Sequence, residues 1–298
     1  MRVLISADME GATGAVLPAD VTSGTARYER FRRLLTGDVN AAVAGFAAAG
    51  ADEILVNDAH CGMDNVLLED LDPRASLIVG RHKPLGMMQG IELGVDAVAF
   101  VGYHTGAGEQ GVLAHTYLSH SILAVRVDEV PTDEGRFNAL VAAEAYAPVV
   151  LVTGDDLTCA AARSWAPGAR TVAVKTALSR HAAVCRTPAA TAADISGAAA
   201  AALADRARVL AAQQAGAANG GAPEGGTPSG GAPGGSAPLT VSVDLDSPYL
   251  ADRAAAMPGV VPDGPRTVVF NAPDARTALR HFRALTWVIG SGREAEWT

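Results

Sequence analysis

The chain is expected to be an α/β protein: a mostly parallel sheet with helices on both faces, joined to a smaller α/β C-terminal subdomain. Three observations carry that expectation. Short apolar runs, at 3–6, 54–56, 97–101 and 149–152, have the length and β-branched content of strands buried on both faces. Ala-rich or amphipathic stretches separate them, the alternation that right-handed βαβ units produce. At 298 residues the chain can bury one large core or two ordinary ones.

The first strand runs from Met1 into Asp8, and a loop with Pro18 and Gly24 follows. A helix from about Arg27 to Ala49 ends where Gly50 supplies a C-cap. The second strand spans 53–58 and closes on His60. A short helix at 65–71, a third strand at 76–79 and a Met-containing helical stretch at 85–93 lead to the strand 97–101, which ends in Gly102-Tyr103-His104. A Gly-rich loop carries His115 and His120, and a strand at 122–127 turns at 128–131 into a helix reaching about Tyr146. The apolar strand 148–153 ends at Asp155-Asp156, which cap the helix holding Cys159 and Trp165; the strand 171–174 leads to Lys175, Ser179 and Arg180. A long Ala-rich helix spans about 189–213.

From Gln214 to Pro238 the composition turns to Gly, Ala, Pro and Ser with Glu224 the lone charge, so this stretch is expected to be a disordered linker with a reach of about 25 to 30 Å. Beyond it come a strand at 239–245, a short helix, a strand at 267–270 and a closing helix at 274–289. This tail is too small to stand alone and is expected to pack on the long helix before the linker. The resulting division is a larger α/β domain over 1–187, with a boundary that can be discontinuous, and a smaller α/β subdomain over 188–298.

Composition narrows the function. A net charge of -9, with 23 basic against 32 acidic side chains, lacks the basic footprint that nucleic acid or an anionic membrane requires, which leaves small molecules or peptides as partners. Cys61, Cys159 and Cys185 form no C-x-x-C pair and their number is odd, so a reducing cytoplasm fits better than a secreted disulfide framework. No apolar stretch has the length or flanks of a signal peptide or membrane span.

The chemistry is concentrated where the strands end. Asp8 and Glu10 are two apart, so in extended backbone both carboxylates leave the first strand on one side, where they repel each other unless a cation neutralises them. By itself a D-x-E after a strand is ordinarily the start of a solvated loop. Here His60 and His104 lie past the ends of two further parallel strands, the edge at which open α/β sheets bind ligands. Two carboxylates with two imidazoles suit zinc or another divalent transition metal better than calcium or magnesium. His115 follows on the same Gly-rich loop, and His120 is a weaker candidate. Asp133 and Glu134 start a helix and either complement its dipole or supply a further ligand. Lys175 and Arg180 either cap and solvate or face an anionic substrate terminus.

The opening SADMEG, the VNDAH around His60, the VGYHTGAGEQGVLAHT from Val101 to Thr116 and the VKTALSR from Val174 to Arg180 together resemble the zinc D-aminopeptidases of the DppA type, in order and approximate spacing from Met1 to about Trp287. The resemblance implies a site of two zinc ions per chain in which Asp8 bridges the metals, Glu10, His60 and His104 complete most of the shell and Glu134 adds the last carboxylate. His115 matches the family's catalytic histidine. The chain departs from the family pattern in two places. The glycine expected two residues after the acid directly follows Glu134, which makes Asp133 a competitor for that place, and the Gly/Pro-rich stretch is an insertion.

The implied activity is removal of N-terminal D-amino acids such as D-Ala from short peptides, by a cytoplasmic homo-oligomer. A metal-dependent phosphoesterase and a non-catalytic metal-binding scaffold are the alternatives. The first predicts turnover of phosphate esters with manganese or magnesium, the second metal uptake without turnover.

Overall fold

The computed structural model describes residues 1–219 and 238–291. Its first strand, β1 (Arg2–Ala7), is central because Val3, Leu4 and Ile5 are fully buried and a strand covered on both faces must be apolar throughout. A single turn, α1 (Pro18–Val21), precedes α2 (Ala26–Ala48), whose Thr25 cap accepts from the Tyr28 amide and whose buried stripe runs through Phe31, Leu35, Val39 and Phe46. The chain then returns through β2 (Glu53–Asp58), β3 (Ala75–Ile78) and β4 (Ala97–Val101).

Next come β5 (Ile122–Val127), the two-residue β6 (Val130–Pro131), α3 (Glu134–Glu144), β7 (Val149–Asp155), α4 (Asp156–Trp165) and the hairpin of β8 (Arg170–Ser179) with β9 (Ala182–Cys185). Helices α5 (Pro188–Ala204) and α6 (Arg206–Asn219) follow. The tail consists of β10 (Leu239–Leu245), α7 (Pro248–Ala255), β11 (Val261–Pro262), β12 (Thr267–Ala272) and α8 (Ala275–Gly290). No described helix is long and apolar enough to cross a membrane.

The expected α/β architecture is the one adopted. Seven strands form a sheet in the order β3-β2-β1-β4-β7-β8-β9, parallel except at the β8/β9 hairpin. Helices α2 and α5 cover one face, and α3 and α4 the other. A second, antiparallel sheet has the order β11-β12-β10-β5-β6. Strand β5 thus leaves the first sheet and pairs along β10, Val125 against Val243.

Several local expectations change. The tail packs on β5 and α3 rather than on the long helix, because that helix buries Ile195 and Ala199 against α2. The helices expected at 65–71 and 85–93 are single 3-10 turns at Leu68–Asp70, Gly86–Met88 and Ile91–Leu93. In the second stretch Gly86, Gly90 and Gly94 all take positive φ, which an α-helix cannot accommodate. The long helix divides at Asp205, whose carboxylate is held by Arg170. The beginning of the expected linker is helical through Asn219, and 220–237 lie outside the described residues.

Candidate metal centre

The carboxyl ends of β1, β2 and β4 are adjacent in the sheet, so the loops that leave them share one edge. They touch backbone to backbone there: the Asp8 amide donates to Val101 O and the Gly11 amide to Gly102 O, each at 2.8 Å. The approach is possible only at glycine. A Cβ on Gly11 would stand 1.8 Å from the Tyr103 carbonyl oxygen, and one on Gly102, whose φ is +76°, would stand 2.0 Å from that of Asp8.

This edge brings Asp8, Glu10, His60, His104 and Glu134 together, with His115 beside them. His60 Nδ1 lies 3.3 Å from Asp8 Oδ1 and 3.0 Å from Glu10 Oε2. His104 Nε2 lies 3.4 Å from Asp8 Oδ2 and 3.6 Å from Glu134 Oε1. Asp8 therefore stands between two groups of side chains, Glu10 with His60 and His104 with Glu134. His115 Nε2 is 3.9 Å from Glu10 Oε1, its ring stacks on that of His104 at 4.3 Å, and it is the most exposed of the six, at 14% of its side chain against 2–9% for the others.

Each histidine is oriented by its second nitrogen. His60 Nε2 bonds Val21 O at 2.8 Å, His104 Nδ1 bonds Thr105 O at 2.9 Å and His115 Nδ1 bonds Leu113 O at 2.8 Å. A carbonyl accepts only, so these nitrogens carry protons, and the opposite ring nitrogens, which face the carboxylates, are the ones that would give lone pairs to a bound cation. Asp8 Oδ2, Glu10 Oε2 and His104 Nε2 are sealed from solvent and have no hydrogen bond of acceptable geometry, although each lies close to the others. Their ligand atoms fall within 4.8 Å of one another, as do those of His104, His115 and Glu134. Buried polar atoms that converge without bonding fit a cation between them.

The carboxylates and imidazoles also act on one another's charge. Burial alone would raise the Asp8 carboxyl, but hydrogen bonds from His104 and His60 outweigh it and hold Asp8 well below the usual carboxylate range; Glu10 is lowered against its own burial chiefly by the His60 charge. The same pairing raises His60 and His104 well above the usual histidine value although burial opposes it.

Asp133 and Glu134 separate cleanly. Asp133 is the N-cap of α3 and its Oδ1 accepts from the Arg136 amide at 2.6 Å, so it faces away into the helix end, and burial pushes its carboxyl up to about 6. Glu134, one residue on, reaches the cluster and accepts the Tyr117 amide at 2.7 Å. His120 is exposed.

Lys175 neither solvates nor faces a substrate. It lies within β8, is 1% exposed, and gives its three protons to the carbonyls of Glu10, Ala12 and Ala15, which fixes the loop after β1. Its register neighbour Asp155 caps α4 through the Thr158 amide and also takes the Val112 amide at 2.7 Å, so it pins the loop of His115. The apolar strand around Lys175 was the one sequence signal of its burial. Arg180 is exposed, and its carbonyl accepts the Leu113 amide. Below Asp8, Ser6, Tyr103 and Asn138 form a hydrogen-bonded shelf that periodicity could not reveal, since its members come from three elements.

Known proteins resemble this chain in both sequence and fold. A family model described as D-aminopeptidase, Peptidase_M55, matches residues 1–221. A D-aminopeptidase of Bacillus subtilis (strain 168) is 38% identical over 191 residues, 63% of this chain and 69% of the relative. The solved structure of a Zn-dependent D-aminopeptidase DppA from Bacillus subtilis, described as a self-compartmentalizing protease, superposes with a TM-score of 0.86 at 30% identity, covering 97% of this chain and 98% of that one. With most of its length matched in sequence and nearly all of it in fold, the chain belongs to the Peptidase_M55 family of D-aminopeptidases.

Proposed function

We propose that this metallopeptidase removes N-terminal D-amino acids, D-Ala among them, from short peptides at a centre of two zinc ions per chain. The observation that carries the reading is the convergence of Asp8 Oδ2, Glu10 Oε2 and His104 Nε2, buried and unbonded, with Asp8 between two sets of nitrogen and oxygen donors. Asp8 would be shared, Glu10 and His60 would hold one ion, and His104 and Glu134 the other. Nitrogen and carboxylate donors in this proportion suit zinc. Two ions bound there would polarise the scissile carbonyl, acidify a water molecule and share the charge that develops on the carbonyl oxygen.

The residues of the chain supply the rest. The carboxylates make the site anionic, which favours a peptide presenting its free amine. His115, held through Nδ1 on the Leu113 carbonyl, keeps Nε2 toward the cluster. There it moves a proton to the leaving amine or, as imidazolium, stabilises the oxyanion. The carbonyls of Val21, Thr105 and Leu113 fix the three rings before substrate arrives, so no reorientation is required during reaction.

The relative described as a self-compartmentalizing protease supports a homo-oligomer, and the odd number of cysteines with no C-x-x-C pair fits the cytoplasm. The test is elemental analysis of the purified protein together with a screen of D- and L-aminoacyl peptides. About two equivalents of zinc and turnover confined to D-aminoacyl peptides are expected. A single equivalent, or equal turnover of L-peptides, would refute the respective part.

A further inference from the structure

Asp155 is a buried acid outside the cluster around Asp8. It ends β7, the strand beside β4, and the two strand ends are tied together there: the Gly102 amide donates to Thr153 Oγ1 and the Tyr103 amide to Thr153 O, each at 2.9 Å. Asp155 is 2% exposed, and its two oxygens have separate tasks. Oδ1 accepts from the amide and the hydroxyl of Thr158, both at 2.7 Å, which caps α4 and fixes the plane of the carboxylate. Oδ2 accepts the Val112 amide at 2.7 Å.

Val112 stands three residues before His115 on a loop whose shape is not the chain's own preference. Leu113 takes φ +56°, a left-handed conformation that a bulky side chain disfavours and that persists only where its surroundings hold it. Three contacts do so. The Leu113 amide donates to Arg180 O at 2.9 Å, the His115 amide donates to Thr105 O at 3.2 Å, and Asp155 Oδ2 holds Val112. Asp155 alone among these acceptors is a side chain, and a carboxylate is the stronger acceptor for an amide. The loop is seated tightly, since Val112, Leu113 and Ala114 are buried and a Cβ on Gly111 would stand 2.1 Å from Thr105 Oγ1. The consequence falls on the Leu113 carbonyl. It accepts from His115 Nδ1 at 2.8 Å, which leaves Nε2 toward Glu10 Oε1 at 3.9 Å.

We propose that Asp155 is a positioning residue for His115. By holding the Val112 amide, Oδ2 keeps Leu113 left-handed and its carbonyl on Nδ1, so that Nε2 is aimed at the substrate before it binds. The inference rests on the role of His115 in peptide cleavage and adds the residue that aims the ring. A reacting group displaced by about 1 Å loses up to about 10²-fold in rate, whereas the proposed zinc ligands stand outside 111–115 and keep their places.

Two variants delete the Val112 contact and spare the helix cap. Asp155→Ser retains an oxygen for the Thr158 amide but is too short to reach Val112 as well. In Asp155→Asn the two donors of Thr158 hold the amide oxygen, so its NH2 group faces the Val112 N–H. On a D-alanyl peptide each should lower kcat about 10-fold or more, with KM and zinc content within about twofold of wild type. In the His115→Ala background the same changes should cost less than about twofold, because the ring they aim is gone. A loss that adds in full to that of His115→Ala would overturn the inference and leave the role of His115 intact. So would a loss that follows zinc content, the mark of an effect through Lys175, which faces Asp155 in register. Near-normal turnover of His115→Ala alone would refute that role, and the inference with it. Amide exchange over 111–116, followed by mass spectrometry, needs no turnover: it should quicken about tenfold or more in both variants, and unchanged exchange would refute the anchor. Faster exchange in a protein that cleaves no D-aminoacyl peptide would support the anchoring of the His115 loop and refute the aminopeptidase reading.

Discussion

Replacing Lys175 by Met tests whether one buried charge holds the loop after β1 in place. The change keeps the length of the side chain and removes donors from the carbonyls of Glu10, Ala12 and Ala15. An acceptor left buried and unpaired costs about 1–3 kcal/mol, so the three together cost about 3–9 kcal/mol. The opposing term is the desolvation of the ammonium. Burial lowers Lys175 from 10.5 to about 8, partly offset by the nearby Asp155 charge, and below pH 8 that depression costs the folded state about 3 kcal/mol, which Met recovers. The expected net loss at pH 7 is about 3 kcal/mol, read as a lower urea midpoint. Because the Glu10 carbonyl is one of the three acceptors, zinc should also stabilise the variant less than it stabilises the wild type. Urea unfolding of zinc-loaded and chelator-treated protein measures both quantities. A loss below about 1 kcal/mol, with zinc-linked stabilisation unchanged, would refute the assignment.

His60→Ala and His104→Ala should lose zinc and activity together, whereas His115→Ala should keep its zinc and lose about 10²-fold or more in turnover; zinc content measured alongside the rate on a D-alanyl peptide separates the two classes. Gly102→Ala places a Cβ against the Asp8 carbonyl at a left-handed φ and should cost several kcal/mol, about 3 or more, and displace Asp8, visible as a lower melting temperature with lower zinc content. Burial raises Asp38 from 3.8 to about 6, against its hydrogen bonds from Thr13. Between those values the folded protein retains a proton that the unfolded chain has released, so this group opposes folding as pH rises through 4 to 6 and does so fully above 6. The stability of Asp38→Asn relative to wild type should accordingly rise by about 2 to 3 kcal/mol between pH 4 and pH 7, and a pH-independent difference in urea midpoints would contradict the assignment.

Much of this molecule was legible in the chain because its information is local. A run such as Val3-Leu4-Ile5 reads as a strand buried on both faces, and Gly50 marks the end of α2. The positions of Asp8, Glu10, His60 and His104 just after such strands were equally readable, since parallel strands direct their carboxyl ends to one edge. Tertiary structure decided what adjacency in sequence cannot rank. Asp133 and Glu134 differ by one residue, yet one fills a cap and the other reaches the cluster, because the helix turns each side chain by about 100° from the last. Lys175 reads as a basic residue at a strand end until β8 is seen to continue past it and three carbonyls to surround it. Arg283 meets Lys83 across 200 residues, and β5 finds its partner in β10 beyond the Gly/Pro-rich stretch. Contacts of that range are set by which surfaces remain to be covered once the local elements have formed, and they leave no periodicity in the sequence.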